Sequence, residues 1–226
     1  MNSMTQKEFM DIFNLYLDEH GMMARVPGEL HDGNPLLYMA TAIVMFENLY
    51  KDNLITSAEW ETLLYKCEAL PGVLHRSPIK RDLEAHDDYV GVLAACKALD
   101  TYDMAMRIYR HGLETGFVYN NTNKKTTIKS DFSRFFDVVP HFKACLNVRL
   151  DLWDQVRWTL GIIGKALWGN ESSVILGWLM VQSIGNDYFP CNIGKIIFNW
   201  CIPSMRLVFE KYFYPEHLFA VACKDL

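Results

Sequence analysis

Apolar residues recur three and four positions apart along most of this chain, and the breaks between such stretches carry helix-start and helix-stop residues. Thr5-Gln6-Lys7-Glu8 is a capping box, followed by Phe9, Ile12, Phe13 and Tyr16 at helical spacing, with Gly21 as the stop. Asn34-Pro35 reads as an N-cap with proline at the first helical position, opening a long apolar helix through about Lys51. Thr56-Ser57-Ala58-Glu59 is a second capping box, whose helix is expected to end at Pro71-Gly72. Two more helices are expected over 87–99 and, capped by Thr101, from there to His111-Gly112.

Around 118–130 the pattern lapses into a polar, turn-prone stretch, Asn120 to Thr127, which predicts an exposed loop between two halves of one domain covering residues 1–226. In the second half, short helices over 131–139 and 141–148 are expected, separated by Pro140, followed by an apolar helix over 152–168. Gly161 and Gly164 in that helix are spaced to let a neighbour approach. Helices over 173–184, 193–202, 204–212 and 215–223 complete the pattern, punctuated by Pro190, Pro203 and Pro215.

Sustained strand alternation is absent, so the expected class is all-α. No repeat of 34 or 40 residues argues for a solenoid. The expected arrangement is helical hairpins around a common axis, like an α/α toroid, or an irregular helical bundle.

Composition narrows the class of function. With 226 residues and 50% apolar content the chain can bury a sizeable core. A net charge of −5 argues against broad electrostatic binding to nucleic acid. Apolar runs such as Val174 to Val181 are much shorter than the roughly 20 residues needed to cross a bilayer. Met1 to Glu8 does not read as a secretory signal, so a soluble protein of the cytoplasm or of a virus particle is expected. The six cysteines form no Cys-x-x-Cys pair and have mostly apolar neighbours, which predicts buried reduced thiols and no metal site or cofactor.

Candidate chemistry concentrates in one polar island, Leu74 to Tyr89, where nine of sixteen residues can carry charge. Pro71 and Pro78 flank His75 and Arg76 and hold them on irregular chain, while His86-Asp87-Asp88 falls where a helix begins. Either histidine could act as general acid or base with Asp87 or Asp88 fixing its tautomer, and Arg76 or Arg81 could grip an anionic group. Tyr89 adds a ligand-binding hydroxyl. The aspartates would equally serve as helix caps, because acidic residues favour that position.

A second His-Asp pair, His31-Asp32, precedes the helix opened by Pro35. Two helix starts carrying the same pair predict a shared concavity lined by His31, Asp32, His86 and Asp88, with Arg76 at its rim, provided both helices open at one end. A third candidate is Trp153 and Trp158, which could stack on sugar rings beside Asp151 or Asp154 or simply pack in the core. No serine-hydrolase elbow, phosphate-binding loop, dinucleotide fingerprint or zinc-protease motif is present.

His75, His86-Asp87 and a later acid such as Asp151 resemble the metal set of HD-domain phosphohydrolases, which implies metal-dependent phosphate chemistry as one alternative. The order of Asp32 to Tyr38, Pro71 to Pro78, His86 to Gly91, the Leu152-Trp153 helix and Leu176 to Leu179 resembles uncharacterised proteins of tailed bacteriophages. That resemblance implies a phage origin and no particular reaction. Two functions are therefore expected to compete. One is a glycan-binding or glycan-cleaving protein with its site at His31, Asp32, His75, His86, Asp87 and Asp88. The other is a non-catalytic accessory protein that meets phage or host proteins.

Overall fold

The computed structural model describes residues 4–24, 27–28, 34–79, 88–115, 138–168, 171–184 and 188–201, without the side chains of residues 168, 171, 172 and 189. Its elements are α1 (Gln6–Tyr16), α2 (Pro35–Tyr50), α3 (Ser57–Cys67), β1 (Glu68–Leu70), β2 (Val73–Leu74), α4 (Asp88–Ala98), α5 (Asp103–Thr115), α6 (Val138–Cys145), α7 (Leu152–Trp168), α8 (Glu171–Gln182) and α9 (Phe189–Cys201). Among the described residues the fold is all-helical apart from one two-stranded antiparallel ribbon.

Local signals explain most boundaries. In both capping boxes the threonine hydroxyl accepts from the N3 backbone and the N3 glutamate returns the bond, at Thr5/Glu8 and Thr56/Glu59. Lys51 closes α2 in the left-handed region (φ 54°), donating its N–H to Glu47 O. Several expectations need correction. The helix from Thr56 stops at Cys67, because Glu68 to Leu74 pairs as a hairpin around Pro71-Gly72, with Gly72 at φ 78°. Thr101 does not cap α5: its hydroxyl donates to Glu61 at 2.6 Å, and α5 continues past Gly112 to Thr115. Pro140 lies inside α6, in its first turn, where no backbone donor is required, and residues 131–137 of the expected preceding helix lie outside the described residues. The expected loop near 118–130 and the helices over 204–212 and 215–223 lie outside the described residues.

Helix α4 is the centre of the molecule. Every residue from Asp88 to Cys96 is buried, so this helix has no solvent face before its half-buried last two residues, Lys97 and Ala98. It packs against α2, α6 and α8. Gly91 permits the approach: a Cβ there would lie 2.9 Å from Leu37 Cδ1, 3.1 Å from Ala40 Cβ and 3.4 Å from Leu179 Cδ1. Helix α2 is buried continuously from Pro35 to Phe46, and Thr41 tolerates this by donating its hydroxyl to Leu37 O at 2.7 Å.

The contacts fix the helix directions. Leu37 meets Gly91, and Val44, Glu47 and Asn48 share a cavity wall with Ala94, Lys97 and Ala98, so α2 and α4 run parallel. Leu179 lies at Gly91 and the Lys97 ammonium donates to Ser183 O at 2.8 Å, so α8 runs the same way. Helix α6 follows suit, with His141 bonded to Val90 O and Cys145 against Ser183. Helix α7 runs back along α6, pairing Lys143 with Asp154 and His141 with Trp158. Helix α9 lies parallel to α7, with Cys191 on Gln155 O and Gly194 against Thr159. Because α4 fills the middle, the arrangement is a bundle around a central helix rather than a ring about an open axis.

The remaining helices clad this core. Phe9 of α1 packs edge-on against Phe46 and Tyr50 of α2 at 5.1 and 5.9 Å. Helices α3 and α5 are joined by the Tyr65 hydroxyl on Asp103 and by Arg107 stacked 5.5 Å over the Tyr65 ring. Of the glycines expected to allow close packing, Gly164 does not, since a Cβ there would meet nothing within 4 Å, whereas one at Gly177 would come 2.4 Å from the Phe198 ring. No helix among the described residues is long and apolar enough to cross a membrane. Cys67, Cys96, Cys145 and Cys191 are buried free thiols and Cys201 is an exposed one.

These contacts give a paired prediction. Gly91→Val overfills the α2/α4/α8 junction and should lower unfolding free energy by about 1–3 kcal/mol. Gly164→Ala meets open space in a helix interior and should raise it by about 0.5–1 kcal/mol. Urea denaturation midpoints of the two variants, read against the parent chain, check both signs.

Candidate functional site

The parallel packing brings the starts of α2 and α4 to one end of the bundle, because Gly91, one turn into α4, lies level with Leu37 and Ala40 in α2. Both His-Asp segments immediately precede these starts. Asp88 is the first residue of α4 and is fully buried. Burying a carboxylate is costly without a partner, and Arg76 approaches it, with Nε 4.0 Å from Asp88 Oδ2 and its own side chain only 24% exposed.

Arg76 is placed by the β-ribbon. The His75 N–H donates to Cys67 O at 2.9 Å, and the Leu74 N–H donates to the Tyr89 hydroxyl at 3.0 Å, tying β2 to α4. Tyr89 is completely buried and its ring meets Phe142 edge-on, so it acts as a strut behind the site. The ribbon is anchored from below by Glu68, whose carboxylate accepts from Arg107 Nε and Nη2 at 3.0 and 2.8 Å and from the Gly72 N–H at 2.8 Å. Gly72 cannot be replaced freely, since a Cβ there would lie 2.4 Å from Arg107 O.

Three buried polar atoms at this end have no hydrogen-bond partner among the described residues: Asn34 Oδ1, His75 Nδ1 and Arg76 Nε. Each such atom costs about 1–3 kcal/mol when left unsatisfied, so their coincidence at one end marks a place built to receive polar groups. Asn34 is the residue the sequence disguises. It stands at the N-cap of α2 with backbone φ −123° and ψ 74°, yet its side chain makes no capping bond. The Asn-Pro spacing reads as a cap, and nothing local reveals the alternative.

The other expected residues divide as follows. Asp88, Arg76 and His75 come together. His31, Asp32, His86 and Asp87 lie outside the described residues, as does Arg81. Trp158 is buried in the core at 5.9 Å from the His141 ring, and Trp153 is 60% exposed on another side of α7. The two tryptophans therefore do not form one sugar-stacking platform. Asp151 and Asp154 are also committed: Asp151 Oδ1 caps α7 by accepting the Asp154 N–H at 2.7 Å, and Asp154 binds Lys143 at 2.5 Å and faces Arg157 Nη1 at 3.8 Å. These groups sit at the C-terminal end of α6, the opposite end from Asp88. Asp151 is thus separated from His75, and no three His, Cys, Asp or Glu side chains among the described residues cluster to hold a metal ion.

A second buried histidine lies deeper. His141 Nε2 is 2.9 Å from Val90 O, so this nitrogen carries the hydrogen and Nδ1 is the bare one. Burial pushes the ring down to about 3, outweighing the Val90 bond. Cys145 Sγ lies 3.5 Å from Nε2, and burial pushes that thiol up to about 12. Both groups are neutral, which makes the pair core packing rather than a thiolate–imidazolium nucleophile.

The unfolded chain protonates His141 below its ordinary value of 6.5 while the native ring stays neutral to about 3, so acid favours the unfolded state. As pH drops from 6.5 toward 5, stability should fall with a slope from this one proton that steepens toward about 1.4 kcal/mol per pH unit. Chemical denaturation of the parent chain and His141→Gln over that range should show the slope reduced in the variant.

The chain matches no protein-family model, no curated protein and no solved structure.

Proposed function

We propose that the end of the bundle holding Asn34, His75, Arg76 and Asp88 binds a hydroxyl-rich ligand of the glycan class, in a protein of phage origin. The carrying observation is the chemical mixture of the unpartnered atoms. Asn34 Oδ1 accepts, Arg76 Nε donates, and His75 Nδ1 takes either part by tautomer. An inorganic anion needs donors alone. A sugar ring presents hydroxyls that donate and accept at once, and the buried Asp88 beside Arg76 suits a ligand that needs both.

Four parallel helices, α2, α4, α6 and α8, also direct their N-terminal dipoles toward this end, which favours negative charge developing on a leaving oxygen. In this reading His75, with His86 and His31 on the adjoining segments, moves protons in hydrolysis or elimination. Asp32, Asp87 and Asp88 stabilise charge, and Arg76 orients the ligand. The phage origin rests on the sequence resemblance alone.

A second reading, a non-catalytic phage structural or host-interaction protein, is favoured by exposed apolar residues on α7 and α9. It depends on what covers them.

Saturation-transfer NMR against neutral and uronic-acid oligosaccharides tests the first reading. The parent chain should bind at least one of them. Asp88→Asn should lose that binding while keeping its circular dichroism spectrum, since the charge goes and the shape stays. Binding unchanged in Asp88→Asn and Arg76→Gln, or no saccharide bound by the parent chain, overturns the proposal.

A further inference from the structure

The end of the bundle opposite Asp88 holds a cavity of about 230 Å³ between the C-terminal turns of α2, α4 and α8. Val44, Ala94 and Ala98 give it an apolar side, and Glu47, Asn48 and Lys97 give it polar groups of both kinds. The acceptors stand on α2. Asn48 Nδ2 donates to Val44 O at 2.9 Å, which leaves Asn48 Oδ1 to accept beside the Glu47 carboxylate. The donor stands on α4, where the Lys97 ammonium gives one of its three N–H groups to Ser183 O at 2.8 Å.

Glu47 and Lys97 line the same cavity but are not paired with each other. Glu47 faces Lys51 at 3.7 Å, on the exposed side of α2, and Lys97 is held by a backbone carbonyl instead of a carboxylate. A carboxylate and an ammonium on different helices beside one cavity suit a ligand that carries both charges. A simple carboxylate would meet Glu47 and the negative ends of three helix dipoles, and a simple amine would leave Lys97 without a counter-charge. Size narrows the class further. The cavity is smaller than the roughly 300–1,000 Å³ of pockets that take drug-sized ligands and, at about 30 Å³ for each water-sized group, has room for about eight non-hydrogen atoms. Valine is of that size.

We propose that this cavity binds a small aliphatic α-amino acid as its zwitterion. The α-ammonium donates to Glu47 and to Asn48 Oδ1, the α-carboxylate accepts from Lys97, and the side chain lies against Val44, Ala94 and Ala98.

Amide NMR of the full nitrogen-labelled chain, titrated with L-valine, isobutylamine and isobutyrate, tests this. L-Valine should shift the backbone amides of Ala94, Lys97 and Ser183 saturably. Each of the other two probes lacks one of the charges and should bind about tenfold more weakly, as the loss of one charge-assisted hydrogen bond dictates. Glu47→Gln keeps the shape of a half-buried position and should weaken L-valine by a similar factor, and Ala98→Leu, which fills the cavity from α4, should abolish its shifts. Absence of saturable shifts at these amides in the parent chain overturns the proposal. So does a single-charge probe that binds as tightly as L-valine, which assigns the cavity to a simple ion, or L-valine binding that is unchanged in Glu47→Gln. The parent-chain titrations stand by themselves should a variant fail to fold. Ala94 and Lys97 lie toward the far end of α4 from Asp88, so failure here leaves the proposed saccharide site untouched.

Discussion

The burial of α4 on every side is the constraint from which the rest of the architecture follows. A helix without a solvent face must be surrounded, and α2, α6 and α8 surround it. Their close approach depends on Gly91, where even one added carbon would press on Leu37, Ala40 and Leu179. Each large apolar side chain removed from water at this junction, such as Leu93 or Leu37, contributes about 1.5–3 kcal/mol. That gain is available only if the intervening helices α3, α5 and α7 carry the chain back to the starting end each time.

Parallel packing has an electrostatic consequence at each end. The C-terminal ends of α2, α4 and α8 meet beside a cavity of about 230 Å³, where the Lys97 ammonium bonds Ser183 O and offsets the converging carbonyls. The N-terminal ends converge on Asp88, Arg76, His75 and Asn34. Here the core helix begins with a carboxylate, which puts a charge at the edge of the apolar interior. Arg76 reaches it only because the Glu68–Arg107 clamp and the Tyr89–Leu74 bond hold the ribbon in place.

The two ends also use their acids differently. Asp154 is nearly as buried as Asp88, yet Lys143 and Arg157 face it and the Asp151 cap completes its backbone, so it is spent on holding α6 to α7. At the Asp88 end, polar atoms of Asn34, His75 and Arg76 have no hydrogen-bond partner among the described residues. The contrast in satisfaction, more than the identity of the residues, separates a structural ion pair from a candidate site.

The sequence by itself determined the helical class and the helix starts that are local events. Capping boxes at Thr5 and Thr56 and the run over 152–168 involve groups a few residues apart, so their pattern is complete without the fold. It also marked the polar island from its density of charge. Tertiary structure alone decided that Glu68 to Leu74 pairs as a ribbon, because strands this short are held by the Glu68–Arg107 and Leu74–Tyr89 anchors rather than by propensity. It decided that Gly91 and Gly177, not Gly164, are the points of close approach, and that Trp158 is core while Trp153 faces out. It decided too that Asn34 leaves its cap unmade and that Asp88 meets Arg76 while Asp154 meets Lys143. Spacing along a chain fixes which residues share a helix face, but which faces meet depends on helix direction, and here direction was set by the need to bury α4 on every side.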